Sequence, residues 1–277
     1  MTEILNGEKI KYLEEKAKTI RISIIEMLAE AGSGHTAGSL GMADVFSLLY
    51  FHVLKHDPKN PTDENRDRLV LSNGHICPVL YSSMAHAGYF PIEELQTFRK
   101  FGSRLQGHPH REFLSLLETS SGPLGEGLSQ AVGMALALRM DGKDNSVVCL
   151  TGDGELDEGQ VWEAVMQAGK EKLGKLIAIV DRNNIQIDGS TDMVMPLEPL
   201  TEKFESFNWD VYEVNGNDLE AVNEAIRESE FVTDKPSVII AHTISGKGVK
   251  EIEGDYHWHG KAPSKDEAEK FIVELSR

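Results

Sequence analysis

Cysteine is nearly absent from the chain: two residues, Cys77 and Cys149, in 277. Two cannot build a disulfide framework, and both sit among apolar neighbours, so the composition points to a reducing cytoplasm. Positive charge is also short, with 28 Lys and Arg against 45 Asp and Glu, a formal net charge of −17. No basic patch interrupts this excess, which argues against nucleic acid or an anionic membrane surface as a partner. Long hydrophobic runs are missing too. The longest stretch without a charged residue, 69–92, holds Asn73, Gly74, His75, Pro78, His86, Gly88 and Pro91 and is no membrane span. The first residues alternate charges and lack the apolar core of a secretory signal. What remains is an ordinary globular balance, 40% apolar and 26% charged, which excludes wholesale disorder and a coiled coil.

The periodicity of the apolar residues sets the fold class. Leu13, Ala17, Ile20, Ile24 and Met27/Leu28 form one stripe, predicting a long amphipathic helix over residues 7–31 that ends at Gly32-Ser33-Gly34. A second helix is expected over 42–54, closed by His56-Asp57-Pro58. Four β-rich runs, at 68–72, 147–151, 177–181 and 238–243, alternate with helical patterns at 128–140, 161–173 and 219–228. Such alternation requires crossover connections. We therefore expect an α/β protein, a doubly wound and mainly parallel sheet with helices on both faces. No repeat, linker or low-complexity tract divides it, so residues 1–277 are read as one domain with an irregular C-terminal extension from about Ser245 and a short charged helix over 266–275.

Ligands of such sheets bind beyond the carboxyl ends of the strands. The unusual residues gather there: Ser72-Asn73-Gly74-His75, Gly152-Asp153-Gly154, Arg182-Asn183-Asn184 and Ser245-Gly246-Lys247-Gly248 follow the four runs in order. Gly152-Asp153-Gly154 is not a dinucleotide fingerprint. The third glycine of that motif would fall on Asp157, and Asp153 would face the pyrophosphate with its own negative charge. A cation between the two anions removes the conflict. Mg²⁺ takes about six hard oxygens and is commonly shared between a carboxylate and phosphates. Asp153 offers the carboxylate, Asn183 an amide oxygen and Ile185 a backbone carbonyl. The alternative at this level is a plain glycine-rich turn with an Asn-rich cap.

Together, Gly152-Asp153-Gly154 and Asn183-Asn184, with 28 residues between Gly154 and Asn183, resemble the signature of thiamine-diphosphate enzymes. The run from Gly152 through Gln160 and the strand ending at Asp181 resemble transketolase in particular. So do Gly34-His35, Leu40-Gly41-Met42-Ala43-Asp44, Leu71 through His75, Gly107-His108-Pro109, Gly122 through Gly127 and Trp258-His259-Gly260-Lys261. The resemblance runs in order from about Lys16 to Lys261. It implies the thiamine-diphosphate-binding fold, here the diphosphate-binding domain, and thiamine diphosphate with Mg²⁺ (or Ca²⁺ or Mn²⁺ in its place) as cofactors. It departs at Thr36-Ala37, where the family commonly has Pro after Gly-His, and at Ser245, where some members carry Lys.

The resemblance also distributes roles. His35 and His259 correspond to the pair at the reacting carbon. His75 and His108 correspond to the pair reaching the diphosphate and the donor's C1 hydroxyl, so His35, His108 and His259 are the expected catalytic residues. Gly122, Pro123 and Leu124 correspond to a cofactor contact, at the start of a helix whose free N–H groups favour an anion. Gly152, Asp153, Gly154, Glu158, Asn183, His75 and His259 complete the expected cofactor site, and Asp153, Asn183 and Ile185 the metal site. His52, His56, His86 and His110 carry no motif, and His242 and His257 match less well.

Transketolases are more than twice as long, and their cofactor also needs a glutamate from a pyrimidine-binding domain. The chain therefore resembles the N-terminal subunit of a split transketolase, expected to be inactive alone and to form an α2β2 heterotetramer with a C-terminal subunit. The reaction implied is transfer of a two-carbon ketol unit between phosphosugars in the cytoplasm. Glu158 and Glu163 are either a solvated acidic face or, as in the family, carboxylates at a subunit interface. Two alternatives are another subunit on the same cofactor, similar to deoxyxylulose-phosphate synthase, and a non-catalytic module that keeps the cleft.

Overall fold

The structure, a computed structural model, describes residues 2–277. The described residues form seven strands: β1 Arg68–Leu71, β2 Val147–Gly152, β3 Leu176–Arg182, β4 Ile185–Gln186, β5 Gly189–Ser190, β6 Asp210–Asn215 and β7 Ser237–His242. Five make one sheet in the order β1-β2-β3-β7-β6, every pairing parallel, while β4 and β5 form a two-residue antiparallel hairpin. The α-helices are α1 Gly7–Ala31, α2 Ala37–Gly41, α3 Ala43–Leu48, α4 Cys77–Ala87, α5 Glu126–Met140, α6 Gly159–Glu171, α7 Thr191–Val194, α8 Leu200–Ser206, α9 Leu219–Ser229 and α10 Lys265–Leu275. Among the described residues none is long and apolar enough to cross a membrane.

Alternation along the strands divides the core into two. Leu71, Val148, Leu150, Ile177, Ile179, Ile239 and Ala241 face α1, α3, α4, α9 and α10. Val70, Val147, Cys149, Leu176, Ala178, Val180, Val238 and Ile240 face α5, α6 and α8. This is the period-2 geometry of a strand applied to a sheet covered on both sides, which is why the strands read as continuous apolar runs. Helices α5 and α6 connect β1 to β2 and β2 to β3 on one face, and α9 connects β6 to β7 on the other. The chain order therefore reverses between β3 and β7, and a crevice opens at their carboxyl ends.

Local expectations are met in part. The helix expected over 42–54 forms as α3, Ala43–Leu48, continued without interruption by a π-helical turn at Leu49–Val53. The short α2 precedes it and ends at Gly41, which lies against the backbone at Ile244, whose oxygen would stand 2.9 Å from a Cβ there. Helix α4 has no polar stripe because it is buried almost all round, from Cys77 to Ala85. Strand β6 carries Asp210 and Glu213 and lies at the sheet edge, where charged residues are common and the apolar signal weak. The C-terminal extension is irregular to about Ser264, and the charged helix expected after it forms as α10. A capping box with Glu267 starts α10, which packs on α1 and seats Phe271 edge-on against Trp258.

Buried polar contacts join the layers. Arg21 of α1 pairs in two-pronged fashion with Asp44 of α3, at 2.6 and 3.1 Å, and Asn217 donates to the same carboxylate. Both cysteines are unpaired and buried, the Cys77 thiol facing the carbonyls of Gln106 and Gly107.

One close approach makes a sharp test. A Cβ on Gly169, inside α6, would stand 1.8 Å from the carbonyl oxygen of Phe207. The same contact region carries the hydrogen bond from the Trp209 indole to the Val165 carbonyl, 2.9 Å. Gly169→Ala should lower the unfolding free energy by at least about 2 kcal/mol despite the better helix propensity of alanine, because backbone on backbone cannot yield as a side chain does. Urea denaturation measures it, and an unchanged or higher midpoint would refute the contact.

Candidate functional site

A cavity of about 330 Å³ opens at the carboxyl ends of β1, β2 and β3, beside the crevice at β7. Each lining group comes from a different element. His35 sits in the turn after α1, beyond Gly32 in the left-handed conformation. Asn73 and His75 follow β1, His108 lies in the long loop before α5, and Gly122 and Leu124 lead into that helix. Gly152, Asp153, Gly154 and Glu155 follow β2; Asp181 ends β3, with Asn183, Ile185, Gln186 and Ile187 after it; His259 arrives from the C-terminal extension.

The four histidines form one cluster. His35 stands 5.0 Å from His75, 5.5 Å from His259 and 6.4 Å from His108 between ring centroids, and His75 is 5.1 Å from His259. Burial, then His259, Arg99 and His108, bring His35 down to about 4, and burial followed by the other three rings holds His75 well below the ordinary range. His108 and His259 are lowered as well, chiefly by burial. All four are neutral at pH 7, so each offers one donor and one acceptor. The Nδ1 of His35 and the Oδ1 of Asn73 are buried without a partner. The other six histidines lie outside the lining.

Three carboxylates sit nearby almost out of water: Asp153 is 1% exposed, Glu155 2% and Asp181 2%. Burial raises Asp153 to about 6 and Asp181 to about 7, and pushes Glu155 up. Asp153 accepts from the amides of Gly154 at 2.8 Å and Asn184 at 2.7 Å, and from Arg182 at 3.3 Å. Asp181 accepts from Asn183 at 2.9 Å and from the Thr243 hydroxyl across the crevice between β3 and β7. The amide oxygen of Asn183 accepts from the Ile185 N–H, 2.9 Å.

Glu155 changes the reading of the α5 terminus. Its carboxylate accepts from the Ser72 hydroxyl, from Gly125 N–H at 2.7 Å and from Gly152 N–H at 3.0 Å. Gly127 N–H donates to Ser72 at 3.0 Å. At the α5 terminus Gly125 N–H is thus committed to an internal anion and Gly127 N–H to the Ser72 hydroxyl beside it, so the positive end of the α5 dipole is met from inside the protein.

Most of the residues singled out from sequence reach the cavity: His35, His75, His108, Gly122, Leu124, Gly152, Asp153, Gly154, Asn183, Ile185 and His259. Pro123 and Glu158 do not. Pro123 is exposed between two lining residues. Glu158 stands exposed at the start of α6, and the carboxylate that turns inward is Glu155, three residues earlier. Glu163 is likewise exposed on this chain. Asn73, Glu155, Asp181, Gln186 and Ile187 were assigned no role from sequence, although Asn73 and Glu155 lie inside the motifs quoted above and Asp181 closes an otherwise apolar run.

Among the described residues no group of three or more His, Cys, Asp or Glu could hold a metal ion. The donor set around Asp153 is one carboxylate with neutral oxygens, which suits a hard cation only when the ligand supplies further oxygens.

Residues 13–275 match the family described as "Transketolase, thiamine diphosphate binding domain". The chain is 41% identical over 265 residues to a 6-deoxy-6-sulfo-D-fructose transketolase subunit of Clostridium sp. (strain MSTE9), covering 96% of both. It is 38% identical to an apulose-4-phosphate transketolase subunit of Phocaeicola vulgatus, covering 97% of this chain and 95% of that one. The solved transketolase of Campylobacter jejuni superposes with a TM-score of 0.91 at 38% identity, over 98% of this chain and 43% of that one. The chain thus spans less than half the length of that solved structure, and nearly the whole of the two subunits.

The histidine cluster gives a pH test. A His whose folded pKa lies below its unfolded value of about 6.5 contributes stability that is present above that value and lost as pH falls. Asp153 and Asp181, raised above their unfolded value, act in the opposite sense, losing their contribution as pH rises through about 6 and about 7. His75→Asn isolates the first effect. Relative to the native chain, the variant should gain about 2 kcal/mol on moving from pH 7.5 to pH 5, read from urea midpoints. Parallel pH profiles would mean that His75 is not held neutral.

Proposed function

The chain belongs to the transketolase family, within its thiamine-diphosphate-binding domain, and from that premise we propose that it is the cofactor-holding subunit of a two-chain transketolase. The reaction is transfer of a two-carbon ketol unit from a ketose phosphate to an aldose phosphate. The observation that carries this reading is the convergence of four neutral imidazoles and the Asp153 oxygens on one cavity at the strand ends. Two relatives of the same length are named as subunits for a sulfosugar and a phosphosugar, which supports a sugar bearing an anionic group as substrate.

The cavity fits the cofactor by its donors. Asp153, the Asn183 amide oxygen and the Ile185 carbonyl would hold Mg²⁺, or Ca²⁺ or Mn²⁺, with diphosphate oxygens filling the remaining positions. Gly152, Gly154 and Gly122 allow close approach of backbone, Leu124 offers an apolar face, and Asn73 Oδ1 is an unpartnered acceptor. When bound, thiamine diphosphate supplies a thiazolium carbon able to accept and release the two-carbon unit. His75 is assigned to the diphosphate end. His35, His108 and His259 act on the sugar: neutral rings donate to a developing oxyanion and relay protons to and from hydroxyls near neutral pH.

Residues 1–277 are taken as one diphosphate-binding domain. The partner is a second chain with a pyrimidine-binding domain and its glutamate, assembled as α2β2. Ile187, exposed at the cavity, and Met193 and Met195, exposed further along the same segment, suit burial by that partner. Glu158 and Glu163, exposed here, are assigned to the same interface. The cytoplasm is the proposed compartment, on the strength of two unpaired cysteines.

Two experiments test this reading. Mixed with its partner subunit, thiamine diphosphate and Mg²⁺, the chain should transfer a ketol unit between phosphosugars in a coupled assay, and alone it should not. In the mixture His35→Ala should lower kcat by about 100-fold or more. Robust turnover by the chain alone, or a His35 variant within a few-fold of the native rate, would contradict the assignment. Separately, Asp153→Ala should leave no thiamine diphosphate binding detectable by calorimetry in the assembled enzyme, and near-native affinity would remove Asp153 from the metal site.

A further inference from the structure

The segment of residues 184–199, which brings Ile185, Gln186 and Ile187 to the cavity wall, has little to hold it in place. It consists of a two-residue hairpin, a single turn of helix at Thr191–Val194 and a run of exposed residues, Asp192, Met193, Val194, Met195 and Pro196. Elements this short are not stable by themselves. Apolar anchoring is limited to Ile185 near its start and Leu197 near its end.

Arg182 stands behind this segment, 3% exposed, at the last position of β3. Its Nη1 donates to the Thr191 hydroxyl at 2.7 Å and to Asp153 Oδ2 at 3.3 Å, and its Nη2 donates to Glu198 Oε1 at 3.0 Å. The circuit closes through backbone. Asn184 N–H donates to the same Asp153 oxygen at 2.7 Å, and Thr191 N–H donates to the Asn184 carbonyl at 3.1 Å. Glu198 in turn accepts from Leu200 N–H at 2.8 Å and so fixes the far end of the segment. One guanidinium therefore touches the carboxylate at the head of the β2 turn and both the middle and the end of the segment.

We propose that Arg182 is a positioning residue that fastens the segment of residues 184–199 to Asp153, so that the segment and the carboxylate hold each other in register. The planar guanidinium serves Asp153 and Thr191 with one nitrogen and Glu198 with the other; a lysine ammonium in its place would keep the link from Asp153 to Thr191 and lose the reach to Glu198. The cation also compensates a carboxylate buried at the end of β2, where an unpaired charge would be costly. Asp192, 3.9 Å away and 73% exposed in its side chain, takes no significant part.

The first test uses the full chain and needs no ligand. Amide hydrogen exchange over residues 184–196 should speed up at least tenfold in Arg182→Met. It should speed up by a smaller factor in Thr191→Val, an isosteric change that keeps the buried charge pair and remains informative if the methionine variant folds poorly. Helix α5, whose start is held by Glu155, should exchange as in the native chain. Native exchange over 184–196 in both variants would overturn the proposal.

The second test rests on the cofactor reading above. In the enzyme assembled with its partner subunit, Mn²⁺ affinity in the presence of thiamine diphosphate, followed by the spin-resonance signal of free Mn²⁺, should weaken at least tenfold in Arg182→Met. It should return to within a few-fold in Arg182→Lys, because one ammonium can still bridge Asp153 and Thr191. Unchanged or tighter affinity in Arg182→Met would overturn the positioning role. If the native enzyme takes up no Mn²⁺, the cofactor reading fails while the exchange result still decides whether Arg182 fastens the segment.

Discussion

Carboxylates withdrawn from water must be supplied with donors, and the active end of this sheet is organised around three of them. Glu155, Asp153 and Asp181 are all about as buried as the leucines of the core. None is satisfied by its own element alone. Glu155 collects donors from the end of β1, the start of α5 and the end of β2. Asp181 joins β3 to the residue after β7. Asp153 draws on its own turn, on the segment after β3 and on Arg182. Because an unmet carboxylate in a low-dielectric setting is so unfavourable, each one fixes the relative placement of the elements that serve it. The cavity keeps its shape because these needs are met locally.

The histidines obey a complementary rule. On a chain with a large excess of negative charge, four imidazoles would be expected to protonate more readily than usual. Here they do the reverse, because burial and mutual repulsion act at short range while the surface acids are screened by solvent. The cluster thus presents hydrogen-bonding capacity without net charge. Such a surface can orient hydroxyls and a carbonyl oxygen while leaving charge balance to the carboxylates.

Much of the scaffold was legible because its signals are local. The stripe from Leu13 to Leu28, the apolar runs of β2, β3 and β7 and the periodic pattern of α9 are each sufficient on their own. Helix α4 was not legible, since burial on all sides erases the period that marks a helix. Strand β6 was not, since an edge strand tolerates charge. The site divides in the same way. Glycines around Asp153, the paired asparagines and the histidines within short motifs are visible as text. Glu155 and Arg182 are not, because the role of a buried charged group is decided by partners such as Ser72, Gly125, Thr191 and Glu198 that are remote in sequence or unremarkable in type. Glu158 shows the limit from the other side: its motif drew attention, yet the inward-facing carboxylate is its neighbour three positions back.

The two cysteines have a practical side. Cys149 lies inside β2 and Cys77 begins a helix with its sulfur turned toward backbone carbonyls, and burial drives both thiols far above the range in which thiolate forms. Without thiolate there is no nucleophile for an alkylating probe or an oxidant. The native chain is therefore chemically silent toward maleimides while folded. A single cysteine placed on its surface becomes a unique handle for a fluorophore or spin label, and delayed reaction of the native pair becomes a clock for global unfolding.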